Sequence, residues 1–593
     1  MTSFFFAFLG EAKYSESVRE LIRTHAARLE FAERSCEHIL PSGLLLSYAR
    51  LGPGGGGDAT PPDGGHDPFF LLTTLLSFNA WDSGRPPSVW ENQIEFLVEP
   101  AAGTATVSLP PASPEPFYYA RDRRGWVFGN DQRPLLRWAG GGLDERAIHA
   151  VLQYGAVPAP FTFSRQVRRI PPGHRLHIAF SGTESRIERI FEPGHCEGNG
   201  AGNPSDAASI LSELDQVLQR VSPSPVLYFS GGVDSGLLAA RLARLGRRDT
   251  CLLNYSFSEA DPEADLAGRM AAHLGMKILR IPFDLSGLAS ALERLPLTYS
   301  FPFCDLSTLP TYLLVRASLR HIGEGRSVLE GTGADGAFGI GIRYPFWRRL
   351  YTFPRWARVL GSTAYRAGSL WRSDSRSKLE RWGRIARRSV QMPLSHAAVL
   401  AVNSLEGIAY EMSPSLRSEL EEAVRTYVEA PAASSDPMTQ LSFLDLVHVC
   451  AGMYAAKSFD PLRAAGVHPL YPYLSPRLMS RALSLSWAEK CPAGEPKGIL
   501  KKALASEVPP EMVYRAKSGF LPPFAILSHP DMQEFLRAEL LSAGSPLAGF
   551  FREAVVREIL DRAARCETLS QGAHNLVWAL GFTSAWYRKN VKG

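Results

Sequence analysis

Residues 226–235 read VLYFSGGVDS, and this stretch decides the fold of the larger part of the chain. An apolar run of strand character ends in the pattern Ser-Gly-Gly-x-Asp-Ser. Residues 236–245 then keep apolar positions at helical spacing until Gly246, which suits a helix C-terminus. A strand, a glycine turn and a helix N-terminus form an anion site, because backbone N–H groups and the helix dipole favour negative charge. The stretch therefore predicts a phosphate-binding loop.

The loop differs from the mononucleotide-binding loop of kinases and GTPases, because no Lys-Ser or Lys-Thr pair closes it. It carries an aspartate instead, and phosphate would repel that carboxylate unless a divalent cation lay between them. We therefore interpret the loop as a pyrophosphate cradle for magnesium-ATP; the alternative is a serine-rich turn without a ligand. The residues expected to bind the nucleotide are Ser230, Gly231, Gly232, Asp234 and Ser235.

Length and composition limit the class of protein. A chain of 593 residues is too long for one hydrophobic core, so two or three domains are expected. No stretch is apolar over the length that a bilayer requires. Residues 1–10 lack the basic flank of a secretory signal and are expected to form a buried first strand. The seven cysteines show neither metal-ligand nor redox spacing, which predicts a cytoplasmic protein without structural zinc.

The pattern changes along the chain and predicts two domains. Short apolar runs with turn residues indicate a sheet-rich domain over residues 1–195, and a Gly, Asn and Pro-rich linker follows. Within residues 206–593, strand-like runs at 250–255 and 277–282 enclose a helix-like run at 261–274. This alternation predicts a parallel sheet flanked by helices, and helices are expected to dominate beyond residue 346.

Residues 343–388 are strongly basic and rich in aromatic side chains, with only Asp374 and Glu380 opposing many arginines. Two interpretations are open. The region can form amphipathic helices with solvated basic faces and aromatic inner faces. It can also be a docking surface for an acidic peptide, a partner protein or an anionic membrane. Nucleic acid is not expected as a partner, because the net charge of +5 is small and no binding module surrounds the cluster.

Several stretches together resemble the asparagine synthetase family over most of the chain. Residues 119–129 and 152–174 resemble the late part of its amino-terminal glutaminase domain. Residues 329–339, LEGTGADGAFG, resemble its second nucleotide-site loop, and residues 509–520, PPEMVYRAKSGF, resemble its lysine loop. The resemblance implies an α+β glutaminase-like domain of the Ntn (N-terminal nucleophile) type. An α/β ATP-pyrophosphatase domain with a parallel sheet and a helical extension is expected to follow it.

The resemblance and the chemistry of the loops imply a mechanism. A carboxylate attacks the α-phosphate of ATP and releases pyrophosphate, and an amine then displaces AMP from the acyl-adenylate. Asp234 and Asp335 are expected to hold Mg²⁺, and Gly331 to bring backbone close to the nucleotide. Lys517 is the candidate for the catalytic cation, a contact typically worth ~3–4 kcal/mol in the transition state. Phe257 is either near the adenine or a core aromatic.

The chain also departs from the better-known branches of the family. Position 2 is Thr2 where glutamine-dependent members have a cysteine, and the stretch that holds glutamine has no counterpart. The first domain is therefore expected to be a degenerate scaffold without glutaminase activity. Thr332 stands where asparagine synthetases have glutamate and β-lactam synthetases have tyrosine, and its hydroxyl is too weak a base. Gly336 replaces an acid.

These departures make the chain most similar to the lasso peptide cyclases, or macrolactam synthetases, which lack a working glutaminase. The resemblance implies that the carboxylate is an Asp or Glu side chain of a precursor peptide and that the amine is its amino terminus. It also implies a leader peptidase and a leader-binding protein as partners. The alternatives are an ammonia-dependent asparagine synthetase, a β-lactam synthetase and a non-catalytic nucleotide-binding scaffold.

Overall fold

The computed structural model describes most of the chain, with gaps. The described residues are 6–11, 14, 16–18, 20–21, 24, 33–39, 44–51, 70–74, 94–99, 102–140, 142–182, 184–191, 207–221, 224–257, 261–322, 327–339, 353–368, 390, 413–428, 437–515 and 524–592. No helix in these ranges is long and apolar enough to cross a membrane.

The described strands are numbered in chain order. They are β1 (Phe6–Glu11), β2 (Glu33–Ile39), β3 (Leu44–Leu51), β4 (Phe70–Thr74), β5 (Ile94–Glu99), β6 (Thr104–Ser108), β7 (Tyr118–Asp122), β8 (Gly125–Gly129), β9 (Val167–Arg169), β10 (His174–Ala179), β11 (Ser185–Arg189), β12 (Val226–Tyr228), β13 (Cys251–Ser256), β14 (Ile278–Pro282), β15 (Ser327–Leu329) and β16 (His468–Leu470).

The α-helices are numbered in the same way. They are α1 (Gln132–Ala139), α2 (Glu145–Tyr154), α3 (Ala207–Gln219), α4 (Val233–Arg244), α5 (Pro262–Leu274), α6 (Leu288–Thr298), α7 (Thr308–Ser318), α8 (Ala334–Phe338), α9 (Arg355–Gly368), α10 (Pro414–Tyr427), α11 (Pro437–Leu444), α12 (Ala456–Ala464), α13 (Pro476–Ser484), α14 (Trp487–Lys490), α15 (Gly498–Ala505), α16 (Pro510–Val513), α17 (Pro530–Leu541), α18 (Glu553–Ala564) and α19 (Gln571–Tyr587). A π-helix spans Asp445–Tyr454.

Two antiparallel sheets form the amino-terminal part, in the orders β2-β3-β1-β8-β7-β9 and β11-β10-β6-β5-β4. They pack face to face: Trp126 and Phe128 of β8 share a core with β5, β6 and β10, whereas Val127 points to the other face and joins the helix-covered core. The sheet-rich pattern and the buried first strand are confirmed. The Ntn-type architecture and the boundaries 1–195 and 206–593 stay predictions.

The second part contains a parallel sheet in the order β14-β13-β12-β15-β16. The strands and the helix predicted between residues 250 and 282 are confirmed as β13, α5 and β14. Asp261 begins α5 by accepting the backbone N–H groups of Glu263 and Ala264. From β12 the chain moves outward to β14, and it then returns to place β15 on the other side of β12. This reversal of strand order lies between β12 and β15, where ligands bind outside the carboxyl ends of such sheets.

Helix α9 is the described part of the basic and aromatic region, because residues 340–352 and 369–389 lie outside the described residues. Apolar side chains on this helix face solvent, with Trp356 66% and Leu360 62% exposed. An aromatic inner face is therefore wrong for Trp356. The exposure favours the docking interpretation of this segment.

The two parts of the chain share a buried, charged interface. Asn130 Nδ2 donates to Glu115 Oε1 at 2.5 Å, and Arg463 Nη1 of α12 lies 3.7 Å from the same oxygen. Arg463 Nη2 also lies 3.2 Å from Asp460 Oδ1, whose second oxygen accepts the N–H and hydroxyl of Ser300. Burial raises the pKa of Glu115 to about 7, although Arg463 and Asn130 act to lower it. A carboxyl group that resists ionisation therefore lies at the junction.

Glu115 should make stability pH-dependent. Because its pKa is raised from 4.5 to about 7 on folding, the folded protein binds this proton more tightly, and the stabilisation present at low pH is lost as pH rises through that window. We expect Glu115→Gln, which mimics the protonated form, to gain up to ~3 kcal/mol relative to the wild type across the window. Thermal unfolding at both ends of the window measures this.

The matched control is Glu558→Gln on the exposed face of α18, which should follow the wild-type curve throughout. Parallel pH curves for wild type and Glu115→Gln would contradict the prediction.

Candidate active site

The predicted phosphate loop follows β12 and is closed by its own side chains. The Ser230 N–H donates to Ser235 Oγ at 3.2 Å, and the Gly232 N–H donates to Ser230 Oγ at the same distance. Gly231 has φ +71°, and a Cβ there would lie 2.9 Å from the Cα of Ala267 in α5. Only glycine satisfies both conditions, so the turn is a tight bend that leads straight into α4.

The first turn of α4 presents the acidic residue of the loop. Gly232 is the N-cap and supplies no side-chain cap, and Asp234 lies in the first turn with Ser235 buried beside it. The hydroxyl of Tyr473, itself buried, donates to the Asp234 carbonyl at 3.0 Å and fixes this turn. The helix dipole at this end favours an anion.

The second predicted loop touches the first. It follows β15, the parallel neighbour of β12, so both loops leave the same edge of the sheet. A Cβ on Gly331 would lie 3.1 Å from Asp234 Cβ, so the close approach that this glycine permits is between the two loops. Gly333, at φ +105°, is the N-cap of α8, and Asp335 lies in the first turn of that helix.

One lysine joins the two aspartates. Lys497 Nζ lies 2.7 Å from both carboxylate oxygens of Asp234 and 2.7 Å from Asp335 Oδ1. The Lys497 side chain is 9% exposed, whereas that of Asp335 is 52% exposed, so the cluster opens to solvent on one side. Burial acts to lower the pKa of Lys497, but the two carboxylates outweigh it and the pKa is raised above its ordinary value. Lys497 is therefore a permanent cation at the meeting point of the loops.

The backbone at Lys497 is held in an unusual conformation. The residue is the N-cap of α15 with φ 56° and ψ 29°, in the left-handed region that a lysine rarely adopts. The following Gly498 has no room for a side chain, because a Cβ there would lie 2.7 Å from Pro492 Cδ. Such strain costs of order 1–3 kcal/mol, and it persists where the surroundings over-determine it. Two ion pairs on one buried ammonium supply that determination.

The same carboxylates suit the magnesium ion that accompanies ATP. Both are hard oxygen donors within reach of a single cation, since one nitrogen contacts both. Within the described ranges no group of three or more His, Cys, Asp or Glu could hold a metal by itself. Asp234 and Asp335 would hold such a metal together with phosphate oxygens and water, which fits a metal that arrives with its nucleotide.

The outcomes for the predicted site residues differ. The structure brings together the loop at 230–235, Gly331 and Asp335. Phe257 follows β13 at the same sheet edge and packs on Tyr255 and Phe283 at ring distances of 5.4 and 5.2 Å, which supports a packing role; adenine contact stays a prediction. Lys517 and Thr2 lie outside the described residues.

Two residues of the site were missed by sequence reasoning. Lys497 stands between Pro496 and Gly498, where no local pattern marks a functional lysine. Asp445 begins the π-helix, and its Oδ2 would lie 3.0 Å from a Cβ on Gly336. The acid that the second loop lacks at position 336 is therefore replaced in space by a carboxylate from another element. In the sequence, Lys497 is visible only as an isolated lysine before a helix, and Asp445 only as an aspartate in an apolar helix.

Comparison with known proteins gives the family. Residues 218–588 match the family model described as asparagine synthase, which covers more than half of the chain. The protein belongs to the asparagine synthase family. The matched range contains both loops and Lys497, so this family member is an ATP-dependent amide-forming ligase. The expectation of a non-catalytic scaffold has no support from this result.

The relatives that match are distant. A putative glutamine-hydrolyzing asparagine synthetase of Mycobacterium bovis is 25% identical over 464 residues, or 75% of this chain and 67% of the relative. Glutamine-hydrolyzing asparagine synthetase 1 of Bacillus subtilis is 20% identical over 485 residues, or 81% and 74%. An NH3-dependent NAD synthetase structure from Campylobacter jejuni is 15% identical, covers 37% of this chain and 93% of its own, and has a TM-score of 0.18, too low for any conclusion.

Lys497→Ala should abolish activity without unfolding the protein. The change removes the cation between Asp234 and Asp335, and loss of one such charge at a reacting phosphate lowers rates by about 10²–10³-fold. ATP–pyrophosphate exchange measures the effect.

Lys502→Ala, on the exposed side of the same helix, is the control and should keep full exchange. Equal rates of ATP–pyrophosphate exchange in both variants would show that Lys497 has no part in the reaction.

Proposed function

We propose that this protein adenylates a side-chain carboxylate of a precursor peptide and couples it to the peptide's amino terminus. The product is a macrolactam, as in lasso peptide biosynthesis. The observation that carries the ligase chemistry is the contact of Lys497 with Asp234 and Asp335, one carboxylate from each loop. Family membership supports the same chemistry.

In the first step, the adenylation, each part of the site has a separate role. The turn at 230–232 and the start of α4 receive the phosphates of ATP, because the turn is glycine-built and the helix dipole favours anions. Asp234 and Asp335 would hold the magnesium ion, which neutralises phosphate charge when bound. Lys497 faces the same phosphates and stabilises the negative charge that develops when pyrophosphate leaves. The acyl-adenylate is thereby formed at the switch point of the sheet.

The altered second loop supports a substrate other than aspartate and ammonia. Thr332 and Gly336 stand where the better-known branches have a base and an acid. Thr332 contacts the carboxylate of Glu330, two residues earlier in the same loop, and Gly336 lies against Asp445 of the π-helix. A rearranged pocket suits a different acid and a different amine. Asparagine synthesis is the second candidate, and the names of the matched relatives favour it.

Helix α9 is our candidate for the peptide-docking or leader-peptidase surface. Trp356, Val359 and Leu360 are exposed on it beside the exposed Arg355, so the helix offers apolar contact together with positive charge. An acidic peptide with apolar residues has the complementary chemistry. A leader-binding protein completes the proposed set of partners.

The substrate class is tested with purified protein, ATP and Mg²⁺. A linear peptide with one Asp or Glu and a free amino terminus is compared with aspartate plus ammonium and aspartate plus glutamine. We expect the peptide to support pyrophosphate exchange and to yield AMP and a product lighter by one water. Asparagine from either aspartate mixture would favour the second candidate. Absence of exchange with every acid would overturn the ligase proposal.

Docking is tested with a fluorescent acidic peptide. The double variant Trp356→Ala, Leu360→Ala should bind about tenfold more weakly, because truncation of a large anchor typically costs more than ~1 kcal/mol. Arg355→Gln should weaken binding mainly at low salt.

Arg557→Ala, on the exposed face of α18, is the matched control and should bind as the wild type does. Unchanged affinity in all variants would show that the peptide does not dock on α9.

A further inference from the structure

A second polar cluster lies beside the aspartates and has no part in the nucleotide chemistry above. Glu330 follows β15 directly, and Gly331 beside it contacts Asp234. Thr332 Oγ1 donates to Glu330 Oε1 at 2.6 Å, and Ser458 Oγ of α12 donates to Glu330 Oε2. Both oxygens of the carboxylate are therefore held by hydroxyl groups, one of which belongs to the second nucleotide loop.

The groups around Glu330 determine how readily its carboxylate accepts a proton. Burial raises the pKa of Glu330, while the hydroxyls of Ser458 and Thr332 and the charge of Lys457 act to lower it. The other titratable groups that face it are Tyr228 of β12 and Tyr471, which follows β16. A carboxylate whose pKa is raised accepts a proton more readily than one with an ordinary pKa.

Lys457 cannot neutralise Glu330 fully, because it is committed elsewhere. Its Nζ lies 2.9 Å from Asp305 Oδ2 and 2.9 Å from Ser307 Oγ, and 4.4 Å from the centre of the Tyr454 ring. Glu330 is therefore a partly buried carboxylate whose hydrogen bonds come from the hydroxyls of Thr332 and Ser458. That is the chemistry that attracts a primary ammonium group.

Amide formation needs such a group. An amine is mostly protonated at neutral pH and cannot attack a carbonyl until it loses a proton. The Thr332 hydroxyl alone is too weak an acceptor, but here it is hydrogen-bonded to a carboxylate at a distance that allows proton transfer. The pair supplies what the threonine lacks.

We propose that the Glu330–Thr332 pair is the acceptor-amine subsite, that it binds a primary ammonium group, and that Glu330 takes the amine's proton through the Thr332 hydroxyl. This inference rests on the proposed function. Glu330 acts through Thr332 and is a positioning and proton-accepting residue, whereas Thr332 contacts the substrate.

The proton and electron pairs balance. The ammonium nitrogen passes one proton to Thr332 Oγ1 while the Thr332 hydroxyl proton passes to Glu330 Oε1. The lone pair thus freed on nitrogen forms the C–N bond to the adenylate carbonyl. The C–O bond to AMP breaks, AMP leaves with that electron pair, and the remaining excess N–H proton goes to solvent. Glu330 then returns its proton to water.

The test separates the two half-reactions in the full-length protein. The acyl probe is an acidic peptide with a blocked amino terminus, and the amine probes are methylamine, protonated at neutral pH, and hydroxylamine, which is largely neutral there. We expect Glu330→Gln to keep ATP–pyrophosphate exchange and hydroxamate formation, and to lose methylamide formation by about 10²-fold or more. Methylamide formation at the wild-type rate in Glu330→Gln overturns this inference and leaves the proposed function unaffected. No exchange in the wild type overturns the proposed function and this inference with it.

A second pair of variants covers loss of folding in Glu330→Gln. Thr332→Val removes the hydroxyl at similar volume and should show the same selective loss, whereas Thr332→Ser should restore methylamide formation. Equal methylamide rates in Thr332→Val and wild type overturn the relay.

The pH profile gives a readout that a merely structural role would not move. Ser458→Ala removes a hydrogen bond to the charged carboxylate, so the pKa of Glu330 should rise further. The acid limb of the methylamide pH–rate profile should then move to higher pH, with pyrophosphate exchange unchanged. An unmoved limb contradicts proton acceptance by Glu330.

Discussion

Two neighbouring carboxylates from two loops are stabilised by the cation that lies between them, and this electrostatic interaction organises the edge of the sheet at the candidate site. Asp234 and Asp335 would repel one another at the distance that their shared contact with Lys497 imposes. The lysine offsets the repulsion from a left-handed backbone position that the ion pairs help to hold. The two aspartates and the lysine together give this edge of the sheet the charges that a phosphate chain and its metal would contact.

The sheet topology makes this constraint possible. Reversal of strand order between β12 and β15 puts two strand ends side by side, and each end leads into a helix whose first turn carries an aspartate. Glycines at 231 and 331 allow the loops to approach closely. The arrangement follows from backbone geometry, and the side chains then add charge to a cleft that the fold has already formed.

Helix α12 connects the site to the amino-terminal part of the molecule. Ser458 donates to Glu330, whereas Arg463, five residues further along the helix, lies between Asp460 and the buried Glu115. A first domain that is expected to lack glutaminase activity thus still contacts the helix that borders the amine subsite. This contact fixes the position of α12 against the amino-terminal part, because a buried charge network tolerates little displacement.

The sequence by itself determined the strand, glycine turn and helix between residues 226 and 244, the strands and helix between residues 250 and 282, and the family, because these depend on periodicity and glycine turns within a few residues. The resemblance also predicted that Asp234 and Asp335 act on one metal, and the structure shows why they meet, since loops after neighbouring strands leave one edge of a sheet. Only the tertiary structure decided which lysine joins them, that Asp445 stands beside Gly336 and that Ser458 reaches Glu330. Lys497 is far from Asp234 along the chain, and Ser458 is far from Glu330, so no local pattern encodes these contacts. They arise because packing brings distant elements within the few ångströms over which charges and hydrogen bonds act.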